Sequence, residues 1–326
     1  MKIEDIVNLT EGQLVNSPKV GTIEAATVYA SKIDQGDLFF SSSQEEIDKA
    51  LENGAYAIVY DNDKILKKDE EIAWIKVSSV QLAAFKLIRY VVLKKEAKFY
   101  YLLEHEMSFL KMILTHKGGI AFITNDWRKA FEKILNSDNT LFVGTDKTLL
   151  HMIKPDIPYL NREVEGYPIS DTLFRTTFKV NGFIYQEKKM IPFHLEYLLR
   201  VVRFCNTHEL PYSIDRIRYT KHFIPTHIDG NLNHTKSSRS DKVAIFVDNL
   251  PDIEKAREYV KCSNMWVKSI VLTPPKTKVP GIDHPHWFED EEEVRELLKS
   301  MHFNYAFIYN TDKRILNTIK EAYSLF

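Results

Sequence analysis

Residues 31–40 read SKIDQGDLFF, and residues 52–61 read ENGAYAIVYD. Each contains a short apolar run, at 37–40 and 57–60, of strand length. Between them residues 44–53 spell a helix. Ile47, Ala50 and Leu51 fall on one face at i, i+3 and i+4, and Asn53-Gly54 supplies the usual C-terminal stop. Outward from this core, residues 72–77 read as a further strand and 80–93 as a strongly apolar helix. The pattern predicts a small α/β domain over residues 1–96.

The rest of the chain divides in the same way. Residues 97–229 are expected to form a second domain. It has strands at 98–103, 120–124 and 140–143, and helices at 106–115 and 127–135. A hairpin turns at Asn181-Gly182, and a helix follows over 195–204. Residues 230–241, GNLNHTKSSRSD, are polar and aperiodic and read as a linker, where limited proteolysis is expected to cut first and release a C-terminal unit. Residues 242–326 alternate strands (243–247, 269–272, 305–309) with helices (253–260, 291–301, 313–323), which predicts a small Rossmann-like domain. Three α/β domains is the expected fold class.

Composition narrows the function. Of 326 residues, 44% are hydrophobic, and the formal net charge is −1. So balanced a charge gives no electrostatic case for nucleic acid. The N-terminus has no basic stretch followed by an apolar run, and no apolar stretch approaches the ~20 residues of a membrane span. A soluble, cytoplasmic protein is expected. Cys205 and Cys262 match no metal or redox spacing and read as two buried thiols.

The two quoted stretches resemble the first domain of the Mur ligases, above all the enzymes that add meso-diaminopimelate or D-Ala-D-Ala to UDP-MurNAc peptides. Lys32, Gly36, Asp37, Leu38 and Phe39 match a DSRK-x-x-x-GDLF stretch. Glu52, Asn53, Gly54, Ala55, Ala57 and Val59 match an ENGAxAVV strand. The family's DSR, close to its uridine nucleotide, stands here as Tyr29-Ala30-Ser31, and its glycine-rich loop is cut to Ser41-Ser42-Ser43. Ser31, Lys32, Ser41, Ser42 and Ser43 are therefore the substrate-binding candidates that the resemblance implies. Simple helix capping is the competing reading of the three serines.

Where the family has a strand, TGSNGKTTT and a helix, this chain runs KFYYLL, Glu104-His105, EMSFLKMIL. The glycines whose N–H groups cradle phosphate, the lysine and the magnesium-holding threonine are missing, and Glu104 adds a like charge. Gly144-Thr145-Asp146-Lys147-Thr148 is a partial echo, better read as a capped strand-to-helix turn. The family's HNxxN corresponds to His194-Leu195-Glu196-Tyr197-Leu198, its GRxE to Thr226-His227-Ile228-Asp229, and its NxNPxS to Asp248-Asn249-Leu250-Pro251-Asp252-Ile253. Glu104, His105, His194, His227, Asp248 and Asn249 thus mark decayed nucleotide-site positions.

His222, His227 and His234, or His284 and His286, have no metal-ligand spacing, so no metal is expected. The acidic run Glu289 to Glu293 reads as helix-cap chemistry. Arg216, Arg218, Lys221, Lys236, Arg239 and Lys242 read as a solvated basic face, with phosphate binding as the alternative. The resemblance implies a non-catalytic Mur-ligase-like protein of peptidoglycan metabolism that binds a UDP-sugar peptide or a protein partner and uses no cofactor. An active ATP- and magnesium-dependent acid–amino-acid ligase and an unrelated adaptor on the same architecture are the alternatives.

Overall fold

The computed structural model describes residues 1–161, 165–236, 240–263, 266–282 and 284–316. Contacts divide the chain into two compact units, residues 1–104 with 116–160, and residues 105–115 with 161–326.

The first unit begins with α1 (Ile3–Thr10), β1 (Gln13–Leu14), β2 (Ala26–Thr27), β3 (Leu38–Phe40), α2 (Gln44–Glu52), β4 (Ala57–Tyr60), β5 (Ala73–Lys76) and α3 (Val80–Lys94). Its five-stranded sheet has the order β1-β5-β4-β3-β2, parallel except for β1. The quoted stretches therefore supply its two central strands, with Leu38 opposite Ala57. Gly54 has φ 96°, and Gly54 N–H and Ala55 N–H bond back to Leu51 and Ala50, the Schellman closure that Asn53-Gly54 foretold.

β6 (Lys98–Tyr101) follows. The next helix, α4 (Glu104–Ile113), belongs from His105 on to the second unit. β7 (Ala121–Phe122), α5 (Trp127–Leu135), β8 (Leu141–Gly144) and α6 (Lys147–Ile153) complete the first unit, with a parallel sheet β6-β8-β7. Residues 97–104 and 116–160, expected in a separate central domain, share the core of residues 1–96. The cause is α3. Its residues Val80, Ala83, Phe85, Leu87, Ile88 and Val92 are all buried, and one apolar cluster joins them to Phe131, Ile134, Leu150 and Ile153. A helix apolar over so wide an arc needs cover on more than one side.

In the second unit β9 (Tyr167–Thr172), β10 (Arg175–Val180) and β11 (Phe183–Lys188) form an antiparallel sheet of order β11-β10-β9. Asn181 and Gly182, at φ 52° and 83°, make the two positive-φ positions of a type I′ hairpin. α7 (Leu195–Thr207) follows, then β12 (Phe223–Ile228), β13 (Lys242–Val247), α8 (Leu250–Ser263), β14 (Ser269–Thr273), β15 (His286–Trp287), α9 (Glu291–Ser300) and β16 (Tyr305–Tyr309). The sheet β12-β13-β16-β14-β15 is parallel apart from β12. Val243, Ile245 and Val247 pack with Ile253, Ala256 and Val260 of α8, while Ala244 and Phe246 share a core with Val294 and Leu298 of α9. Burial on both faces is why β13 is apolar without a break after Lys242.

The expected linker has a different place. β12 and β13 pair antiparallel from Phe223↔Val247 to Ile228↔Lys242, so residues 229–241 connect two neighbouring strands of one sheet. Leu232 is buried in that connection, and Asp229 accepts from the N–H groups of Asn231 and Asn233. The expected boundary between 229 and 242 thus falls inside the sheet. Within the expected helix at 313–323, residues Lys313–Ile315 form a 3-10 turn, and the part from 317 on lies outside the described residues, as does Arg239. Among the described residues no helix is long and apolar enough to cross a membrane.

Candidate functional site

Of the first-domain candidates, Ser41, Ser43 and Lys32 are held by structural bonds. Ser43 is the N-cap of α2, and its Oγ accepts from Glu46 N–H at 3.5 Å. Ser41 is buried; its Oγ donates to Glu46 Oε2 at 2.5 Å and accepts from Ser43 N–H at 3.0 Å. These are the bonds of a cap. Ser31 and Ser42 are exposed. Lys32 Nζ lies 3.1 Å from Glu132 Oε2, while Oε1 of the same buried carboxylate accepts from Thr27 Oγ1 and Val28 N–H. Lys32 therefore helps fix α5 to β2.

At the end of β6, Tyr101 N–H donates to Pro158 O at 3.1 Å and Leu102 N–H to Gly144 O at 2.9 Å, and Leu102 is fully buried. Glu104, exposed, opens α4. In the glycine-lysine echo, Asp146 caps α6 by accepting from Leu149 N–H at 2.9 Å, as the plainer reading had it.

In the second unit three segments meet at one buried polar cluster. His105 is the second residue of α4, and His194 stands immediately before α7. Asp252 lies in the first turn of α8, which Pro251 helps to start. His105 Nε2 and His194 Nε2 each lie 2.9 Å from Asp252 Oδ2. The side chains are 5%, 2% and 1% exposed, respectively. The two imidazoles have centroids 4.1 Å apart, and Tyr197 stacks on His105 at 5.1 Å. Asn249 Nδ2 faces His105 Nε2 at 3.2 Å. His105 Nδ1 is buried without a hydrogen-bond partner.

Burial governs the protonation of this cluster. It pulls His194 from 6.5 down to about 4, against the opposing hydrogen bond to the Asp252 carboxylate, so the ring is neutral near pH 7. Burial would push the Asp252 carboxyl up, but hydrogen bonds from His105 and His194 outweigh it and hold the group well below the usual carboxylate range. Beside the trio, His222 Nδ1 bonds Asp248 Oδ2 at 2.7 Å and His222 Nε2 meets Ser108 Oγ at 3.1 Å. The His105 and His222 rings are 5.1 Å apart.

Four of the six positions that the resemblance marked, His105, His194, Asp248 and Asn249, are thus brought together. Glu104 and His227 take no part; His227 sits on β12 with its ring against Phe174. Asp252, His222 and Ser108 complete the assembly. Asp252 stood in the sequence only as part of a worn motif, and His222 only in a histidine group with no metal spacing. The acidic run is a cap: Asp290 accepts from Glu292 and Glu293 N–H at the start of α9. Of the two cysteines, Cys205 is buried but Cys262 is exposed, contrary to the expectation for both.

No protein-family model matches the chain, and no curated protein matches its sequence. Solved structures do match. The MurF ligase of Thermotoga maritima, in complex with ADP, superposes with a TM-score of 0.54 at 10% identity, over 90% of this chain and 95% of that one. MurF from Acinetobacter baumannii gives 0.53 at 10% identity, over 96% of both chains. The chain has the fold of the Mur ligases, a mixed α/β architecture of several sheets.

Proposed function

We propose that this chain is a Mur-ligase-like protein that does not carry out ATP-driven ligation and instead binds a UDP-sugar peptide of cell-wall synthesis. The fold supports the connection to that chemistry. The turn between β6 and α4 carries the non-catalytic part of the reading. A P-loop needs free backbone amides, a lysine and a metal-holding hydroxyl. Here the Tyr101 and Leu102 amides are bonded to Pro158 and Gly144, and no glycine or lysine stands between them and His105. These residues do not fit an ATP-magnesium complex held in the family's manner.

Calorimetry with millimolar ATP-magnesium is expected to give no saturable heat; clean saturation would sink the non-catalytic reading. For the ligand, Ser31, Ser42 and the backbone around the start of α2 are the proposed contacts. A UDP-MurNAc peptide is expected to shift the amide resonances of these residues. No shift at millimolar ligand would remove the precursor from consideration and leave protein–protein interaction.

A further inference from the structure

We propose that His105, His194 and Asp252 bind one divalent transition-metal ion of the zinc class. Two imidazole nitrogens and one carboxylate oxygen form a borderline donor set that suits zinc, cobalt or nickel; magnesium prefers an all-oxygen shell. The three ligand atoms lie within 4.8 Å of one another, and all three side chains are buried. Both Nε2 atoms approach the same oxygen, Asp252 Oδ2, at 2.9 Å. Bonds of about 2.0–2.1 Å in a tetrahedral site set ligand atoms about 3.3 Å apart. Ring rotation by a few tenths of an ångström brings both nitrogen–oxygen pairs to that spacing.

Both imidazoles present Nε2 to one carboxylate oxygen, and the Asn249 amide lies beside His105 Nε2 at 3.2 Å. A cation takes the lone pairs of both imidazoles and the charge of Asp252 together. It also adds positive charge beside a carboxylate that is 1% exposed and otherwise held by the two imidazoles. The ligands come from the starts of three helices, rigid elements whose positions are set by packing.

The test is metal analysis of the full chain after incubation with zinc and extensive dialysis. One equivalent per chain is expected for the wild type and for a His227→Gln, His234→Gln double variant. At least a tenfold weaker binding is expected for His105→Gln and for Asp252→Asn. No stoichiometric uptake of zinc, cobalt or nickel by the folded wild type would overturn the assignment, as would full uptake by both single variants. If those variants fail to fold, X-ray absorption of the cobalt-loaded wild type decides. A shell with two imidazoles and an oxygen is expected, whereas a thiolate-bearing or all-oxygen shell overturns the site. ATP binding plays no part in any of these readouts, so their outcome is separate from that of the function proposed above.

Discussion

At the scale of single residues, Cys205 and Cys262 differ in one property, access to water. Cys205 is buried on α7, and burial raises its thiol from 9.0 to about 12, whereas Cys262 is exposed. The thiolate is the reactive form, so a disulfide reagent at pH 8 is expected to label one thiol per chain rapidly and the second only in denaturant. Two fast equivalents would contradict the burial of Cys205. Its folded pKa lies above the unfolded one, so the linked stability is complete below about pH 9 and is lost as the pH rises toward 12. Arg200 makes a second residue-level case. Its Nη1 donates to Glu106 Oε1 at 3.1 Å, and Glu106 is nearly inaccessible. Arg200→Met removes this charged hydrogen bond from a buried carboxylate. The expected loss is about 2 kcal/mol, read as a lower urea midpoint. Replacing Glu106 by Gln in the same chain should recover part of it.

At the scale of elements, caps decide where several helices start. Asp146→Ala is expected to cost about 1 kcal/mol through the lost bond to Leu149 N–H, measured by chemical denaturation, with no effect on any nucleotide titration. A change in nucleotide response would revive the phosphate-loop reading of the stretch from Gly144 to Thr148. Such local chemistry was legible in the sequence. The helix at 44–53, the Asn181-Gly182 turn and the Asp290 cap are each set by residues a few positions apart. β9 and β12 were not legible: YPISDT and FIPTHI each carry a proline and show no clear alternation. The site was legible only in pieces. His105 and His194 stood out singly as worn positions. Their meeting with Asp252 and Asn249 depends on contacts between distant stretches of the chain, such as that of His105 with Asp252, which no local pattern encodes.

At the scale of the whole molecule, the grouping of elements was the least legible, because long-range cores assign α3, α5 and α6 to one unit and β12 to the sheet of β13. That sheet makes a prediction about cleavage. A protease cutting within residues 229–241 is expected to leave two fragments that co-elute on gel filtration, because six residues of β12 remain paired with β13. Separation is expected only in denaturant; fragments that part under native conditions would contradict the ladder. The other sheet of the second unit bears on behaviour at high concentration. β9 is one of its two edges, every residue of β9 is exposed, and Tyr167 and Ile169 put apolar surface there. Pro168 has no N–H to offer a further strand, and beside it Ile169 is the extra residue of a bulge, since Thr177 pairs with Ser170 and Phe178 with Pro168. Both features oppose the addition of a further strand. Pro168→Val is therefore expected to increase light scattering in concentrated solution while leaving the unfolding midpoint nearly unchanged. On this account one proline does for colloidal behaviour what a covering helix does elsewhere: it lets an apolar strand face water without recruiting its neighbours.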